Sequence, residues 1–574
     1  MKFYISFLIT TVILGTSVAI AQEEEENQLN GGTITVVKPY DPTISDAFKV
    51  KSVPSVNDTT KVKKKPVTYS IFSVPVASTF TPATGKLDRL KPKRKEKFYR
   101  NYARLGLGNY VNILGEFATN FEIDRDSDVS VFFNHNSSQG GIDEVRLDDS
   151  FSDTGLDVSY GTRSRDMNWS ITAGGRYQTA NWYGVYDNVP TQPEEDLDVA
   201  TSYFSYGIGG RASFFDSVFK EADVQLTGVS SGNDASEFRA RLRPQLGFDI
   251  MDTEVGLGVE LDYLSGSFGE RTIFAQEEDL DYGLFNAGLY PSVNLYGDNY
   301  KVELGARVNY ATDIENSESD IYVYPDITAS YILAEETVVA FTEIGGGFDV
   351  NSLQQFADEN VFIAPALTIA PTDRQLDAIA GFKGKLGVFG YKVFGGYRIE
   401  KNRNFYITDD GSRFTIGDLQ SYDYGNVFYT SYGDLNTVLY GASLGVTLNT
   451  ALDVTLNVTG RSFDVSEGDA FENIASNLPE LTADLTANYK IDEKWSTGLT
   501  LYYVGERDAY RIGVGKETID GFVDLNLDVN YKINPKLTAF LRGNNLTGGN
   551  YQYFNGYPVQ NLQVLGGIVY KFDF

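Results

Sequence analysis

Between Gly521 and Asn534 the chain reads GFVDLNLDVNYKIN: Val523, Leu525, Leu527, Val529, Tyr531 and Ile533 alternate with Asp524, Asn526, Asp528, Asn530 and Lys532. A period of two sets one group on each face of a β-strand. The same alternation sets Leu481, Ala483, Leu485, Ala487, Tyr489 and Ile491 against Thr482, Asp484, Thr486, Asn488 and Lys490. It recurs with Val302, Leu304, Ala306, Val308 and Tyr310 against Glu303, Arg307 and Asn309. Inside a soluble core these polar faces would strand charges away from water, which is strongly unfavourable. With the apolar face in lipid and the polar face in an aqueous lumen the penalty disappears. The pattern therefore predicts membrane-crossing strands that turn Asp484, Asn488, Lys490, Asp524, Asn526, Asp528, Glu303 and Arg307 to the lumen.

The chain ends in the same way. In NLQVLGGIVYKFDF the even positions Leu562, Val564, Ile568, Tyr570, Phe572 and Phe574 are apolar, with Gly566 as the gap. The segment is long enough for a tilted membrane strand, which needs only ~9–11 residues. Bacterial membrane barrels have short periplasmic turns and longer outer loops, so link lengths should alternate. Short links fall at 124–128, 163–167, 215–221, 251–253, 296–299, 333–337, 387–390, 449–452, 492–494 and 534–536. Between them lie longer acidic, Gly/Asn/Ser-rich stretches such as 186–198, 269–281 and 401–426, with the outer link at 108–110 expected to be the only short one. The fold class that follows is all-β: a transmembrane antiparallel β-barrel of about 22 strands with both ends periplasmic.

Composition agrees with this picture. Of 574 residues 56 are Gly, 38 Tyr and 37 Phe, and none is Cys. After the N-terminus no apolar run reaches the ~18 residues that a membrane helix requires. Lys2, the apolar run Phe3 to Ile20 and the small residues Ala19 and Ala21 read as a signal peptide over 1–21, so the expected location is the bacterial outer membrane. Residues 22–98 are Pro-rich and without periodicity, and read as an irregular periplasmic segment ahead of a barrel over 99–574. Residues 22–100 carry a net charge of +6 and residues 101–574 one of −37. The basic stretch near Lys86 to Arg100 suits anionic lipid head groups as well as water.

Candidate chemistry is sparse. The single His, His135 in FFNHNSS, reads as a lumen or loop residue rather than a catalytic base, and no phosphate-binding Gly loop is present, so the chain is not expected to be an enzyme. No cofactor is expected. Ca²⁺ between the acidic outer runs Glu194 to Asp196 and Glu277 to Asp279 is the one candidate, set against plain solvated acid. The charge of the barrel region disfavours nucleic acid.

Three stretches carry a family resemblance. LRGNNLTGGNYQYFNGYP (541–558) and VLGGIVYKFDF (564–574) are similar to the last two strands and last loop of TonB-dependent receptors of Gram-negative bacteria, and ENVFIAPALTIAPTDRQLDAIAGFKGKL (359–386) to a loop and strand of that family. The resemblance covers the barrel, roughly 99–574, and implies uptake of a nutrient or metal chelate. It also implies TonB as a partner, through a candidate box Thr33, Ile34, Thr35, Val36 and Val37, and the barrel-assembly machinery, through Ile568, Tyr570, Phe572 and Phe574. Fewer than eighty residues precede the barrel, whereas the family's plug domain is larger. A plugless structural or accessory subunit, working with a partner outer-membrane protein or lipoprotein, is therefore the alternative, and an open diffusion porin a third reading.

Overall fold

The computed structural model describes residues 97–251, 253–269, 280–335, 337–412, 419–448, 451–468 and 473–573. The signal peptide, the segment ahead of the barrel, Thr33 to Val37, the acidic run 277–279 and Phe574 lie outside the described residues.

Twenty-two antiparallel strands close into one ring. The first nine are β1 (Asn101–Gly108), β2 (Ile113–Glu122), β3 (Ser127–Ser138), β4 (Phe151–Arg163), β5 (Met167–Asn181), β6 (Ala200–Phe214), β7 (Phe219–Ser231), β8 (Ala235–Ile250) and β9 (Thr253–Phe268). Then follow β10 (Leu280–Tyr296), β11 (Tyr300–Asp313), β12 (Glu318–Ala334), β13 (Val338–Asp349), β14 (Thr372–Leu386), β15 (Phe389–Asp409), β16 (Tyr429–Leu448), β17 (Leu452–Gly468), β18 (Leu481–Lys490) and β19 (Trp495–Val504). After an outer hairpin, β20 (Arg507–Ile512) and β21 (Gly515–Ile519), come β22 (Phe522–Lys532) and β23 (Leu537–Asn544). A small hairpin, β24 (Gln552–Phe554) and β25 (Tyr557–Pro558), precedes the last strand, β26 (Gln563–Phe572). One α-helix among the described residues, α1 (Leu353–Glu359), lies between β13 and β14.

Closure is made by β1, which pairs with β2 on one side and with β26 on the other, from Asn101↔Phe572 to Gly108↔Leu565. No strand edge remains, which is the condition for a sheet to cross hydrocarbon. Each short link read from the sequence is a strand reversal at one end of the ring. The outer connections depart from expectation at two places. The links 232–234 and 314–317 are as short as the inner turns, so the one at 108–110 does not stand alone. Asp234 (φ 57°) and Ser317 (φ 55°) take the left-handed conformation that lets a polar residue reverse a hairpin in so few steps.

Alternation sorts the side chains. Leu105, Leu107, Ile208, Val323, Phe382 and Leu444 stand exposed on the outer face. Aromatic pairs such as Tyr160–Trp169 and Trp495–Tyr531 lie beside the inner turns, where a bilayer interface would hold them. The inner face is neutralised pair by pair, by Arg239 with Asp262, Arg243 with Glu260, Arg307 with Asp326 and Arg398 with Asp377. The wall is uneven in height: β1 and β23 have 8 residues each, whereas β15 has 21 and β16 has 20.

Candidate functional site

At the outer mouth the loops fold onto one another. Helix α1 is tied to inner-face residues of the wall. Ser352 caps it, its hydroxyl accepting the Gln355 N–H at 3.1 Å. The Leu353 and Gln354 N–H groups donate at 2.6 and 3.3 Å to the carboxylate of Glu237, an inner-face residue of β8, and the Tyr282 hydroxyl of β10 donates to the same group at 2.8 Å. An acid at a helix N-terminus satisfies amides that have no partner within the helix.

A second tie is ionic. Arg176 on β5 binds Asp153 of β4 through two nitrogens, each at 2.8 Å, and holds Asp358 of α1 with a third at 2.8 Å. Burial pushes the Asp358 carboxyl above its ordinary pKa, the neighbouring Arg176 acting in the opposite sense. Glu359 accepts from the Tyr406 hydroxyl at 2.8 Å and from the Gln355 amide at 3.0 Å.

Beyond the helix the run VFIAPAL (361–367) contributes to an apolar core. Ala364 N–H donates to the Phe428 carbonyl at 2.8 Å and Phe428 N–H to the Phe362 carbonyl at 3.0 Å, joining this loop to the loop 410–428. Phe362 stacks on Tyr557 with ring centroids 3.9 Å apart, and Tyr183 packs on both. Asn426, fully buried, donates to the carbonyls of Trp182 and Ser421 and receives the Tyr557 hydroxyl on its own carbonyl. That approach depends on Gly425: its φ is +71°, and a Cβ there would lie 2.6 Å from the Asp409 carbonyl. Hairpin β20–β21 adds Arg507, donating to the Gln552 and Tyr553 carbonyls, and Arg511, whose guanidinium sits 3.9 Å over the Tyr186 ring. Leu147, Trp182, Tyr183, Phe356, Ile363, Phe428, Phe554 and Tyr557 belong to one buried cluster contributed by five loops.

Beneath this cap lies a cavity of about 100 Å³, walled by Tyr183, Phe362, Tyr553, Phe554 and Tyr557 and bordered by Gln178, Asp358 and Glu359. Rings offer stacking faces there, and the acids offer acceptors. A rim groove of about 310 Å³ is lined by Asp148, Glu195, Asp196 and Asp198. The described residues contain no cluster of three or more His, Asp or Glu side chains placed to hold a metal ion.

The residues singled out in the sequence do not converge on this site. Asp524 and Asn526 are buried neighbours on β22, the Asn526 amide donating to Asp524 at 3.2 Å, and Asp528 lies 3.4 Å from Arg542. Asp484 accepts from Asn457 at 2.9 Å on β17, and Asn488 and Lys490 continue the same face of β18. Glu303 and Arg307 lie on β11, Arg307 binding Asp326 at 2.8 Å. Ile568 and Tyr570 are exposed on β26, and Phe572 shares their face. His135 corrects its reading: it shares the outer face with Val129, Val131 and Phe133, and its ring nitrogens meet the hydroxyls of Thr154 and Ser137 at 2.8 and 3.1 Å. Glu237, Arg176, Asp358 and Asn426 went unread. The visible signal for them was the apolar run 361–367, too hydrophobic for a solvated loop.

The family described as "TonB dependent receptor-like, beta-barrel" matches residues 93–546. Among solved structures the chain is similar to the FrpB iron transporter from Neisseria meningitidis (F5-1 variant), with a TM-score of 0.64, 10% identity and 83% of each chain covered. It is similar also to the ferric-catecholate import receptor Fiu from K12 E. coli, with a TM-score of 0.61, 12% identity and coverage of 83% and 82%. A third is the copper transporter OprC, with a TM-score of 0.58, 13% identity and coverage of 83% and 81%. No curated protein matches in sequence.

Proposed function

Because the chain belongs to the TonB-dependent receptor-like β-barrel family, and so to the bacterial outer membrane, we propose that it takes up a nutrient or metal chelate captured under its outer loops. The observation that carries this reading is the aromatic and acidic cavity beneath the cap. Rings and carboxylates there suit a compact ligand with stacking faces or hydrogen-bond donors, and because ligand pockets usually span about 300–1,000 Å³, the cavity of about 100 Å³ must widen by movement of the loops to admit one. Charge narrows the class. The outer connections hold 27 acidic and six basic residues, a net charge of −21. A field of that sign slows anions and concentrates cations, so a neutral or cationic chelate fits better than an anionic one. The iron and copper transport named for the structural neighbours supports the same cargo class. In this reading Thr33 to Val37 contact TonB, and Ile568, Tyr570, Phe572 and Phe574 present the last strand to the assembly machinery.

Trp182 packs against Tyr422 inside the cap, in one buried cluster with the cavity-lining Tyr183, Phe362 and Tyr557, so tryptophan fluorescence is the readout for repacking of the cap on binding. Titration of the purified protein with neutral, cationic and anionic metal chelates should give saturable change with the first two and at least tenfold weaker binding in Phe362→Ala. A preference for the anionic chelate, or an unaffected variant, would sink the proposal.

A second reading follows from how completely the cap is packed: a barrel closed by its own loops that serves as an accessory subunit of an outer-membrane complex. Single-channel conductance of the whole chain and of a form lacking residues 22–98 separates the two. Current that appears only in the truncated form favours a gated transporter; silence in both favours the accessory role.

A further inference from the structure

Several cations on the inner wall sit beside a carboxylate, whereas a cluster of lysines on β14 and β15 does not. Lys383 on β14 lies directly opposite Lys392 on β15, with Val339 as its neighbour on β13 and Ser443 as the neighbour of Lys392 on β16. Lys385, two residues along the same face, lies opposite Gly390. None of these cross-strand neighbours is acidic, and among the described residues none of the three lysines forms an ion pair. Both facing ammonium groups are held by one ring: Lys383 Nζ is 5.1 Å and Lys392 Nζ 4.9 Å from the Phe341 centroid. Lys392 also lies 5.4 Å from the Phe394 ring.

Like charges placed directly opposite in an antiparallel pair are destabilising. Contacts with ring faces offset part of that and fix the ammonium positions, yet they leave the positive charge unneutralised. The side chains remain solvent-accessible. On a wall where Arg239, Arg307 and Arg398 each hold a carboxylate, this is a standing deficit of negative charge close to the β14–β15 turn.

We infer that Lys383, Lys385 and Lys392 form a lumenal binding station for a multiply charged phosphate-bearing solute. Ammonium groups bind phosphate as point charges without requiring a planar fork, and a spread of three suits a group that carries more than one charge. The station is on the barrel wall, apart from the outer cavity, and stands independently of the cargo proposed there.

Isothermal titration of the full chain in nanodiscs with pyrophosphate at low salt should give saturable binding that weakens at least fivefold at 0.3 M salt, as expected for surface ionic contacts. The double variant Lys383→Met, Lys392→Met should lose at least tenfold in affinity while melting at the same or higher temperature without ligand, because the facing charges are gone. The single variant Lys392→Gln gives an intermediate loss and covers failure of the double variant to fold. No binding by the parent protein, or equal affinity in both variants, overturns the inference. Sulfate bound as tightly as pyrophosphate would show a general anion patch and likewise overturn the phosphate assignment.

Discussion

At the scale of single residues, the outer mouth rests on a few polar groups whose partners are far away in sequence. Asp153 is 4% exposed and is matched by Arg176 through two hydrogen bonds. Removing one partner of such a pair leaves a charge without compensation. Arg176→Met should therefore destabilise the protein by about 3 kcal/mol, nearer the lower end of the usual range because Arg176 is itself partly solvated; urea unfolding in detergent measures it. Asp358→Asn should behave differently, since Arg176 keeps Asp153. The Asp358 carboxyl is raised by burial, so the folded state holds its proton more tightly than the unfolded chain does. Stability then falls as pH rises from the ordinary carboxylate value through the raised one, and is regained on acidification from neutrality. Asp358→Asn should flatten that part of the pH profile without loss of stability at neutral pH. A steeper profile in the variant would contradict this account.

At the scale of elements, helix α1 is too short to persist alone. It exists because Ser352 caps it, Glu237 receives its first amides, and Leu353, Phe356 and Ala357 are buried. Glu237→Ala should loosen residues 350–371 by about 2 kcal/mol, the usual magnitude for stranding buried donors. Hydrogen exchange should then rise at Leu353 and Gln354 but stay unchanged in β8 beyond its first turn of pairing. The strands were legible to within a few residues because lipid outside and water inside impose a strict period of two. The inner turns were legible because they interrupt that period with short polar links. The brevity of 232–234 and 314–317 was missed: the expectation of long outer loops overrode turn chemistry visible at Asp234. For the last strand, replacing Tyr570 and Phe572 by Ala should lower the amount of heat-modifiable, membrane-inserted barrel in cells. It should leave refolding in detergent nearly intact, since β26 keeps its backbone ladders to β1 and β23.

At the scale of the whole molecule, the ring is a wall of uniform logic and the cap is not. Tyr557 joins Phe362, Tyr183, Phe428 and the Asn426 carbonyl, so Tyr557→Ala should destabilise the cap by about 4 kcal/mol, as for other large aromatic truncations in cores. Brief current openings should follow in planar bilayers, whereas Val523→Ala on the lipid face should leave the baseline unchanged. By itself the sequence determined the ring: strand number, inner turns and facing of side chains follow from alternation, which is local and is enforced by solvents of opposite polarity on the two faces. The tertiary structure alone decided how loops from five places in the chain pack into one buried apolar cluster, and that Arg176 and Glu237 anchor α1. Those outcomes depend on contacts between residues tens to hundreds of positions apart, and no local period encodes them.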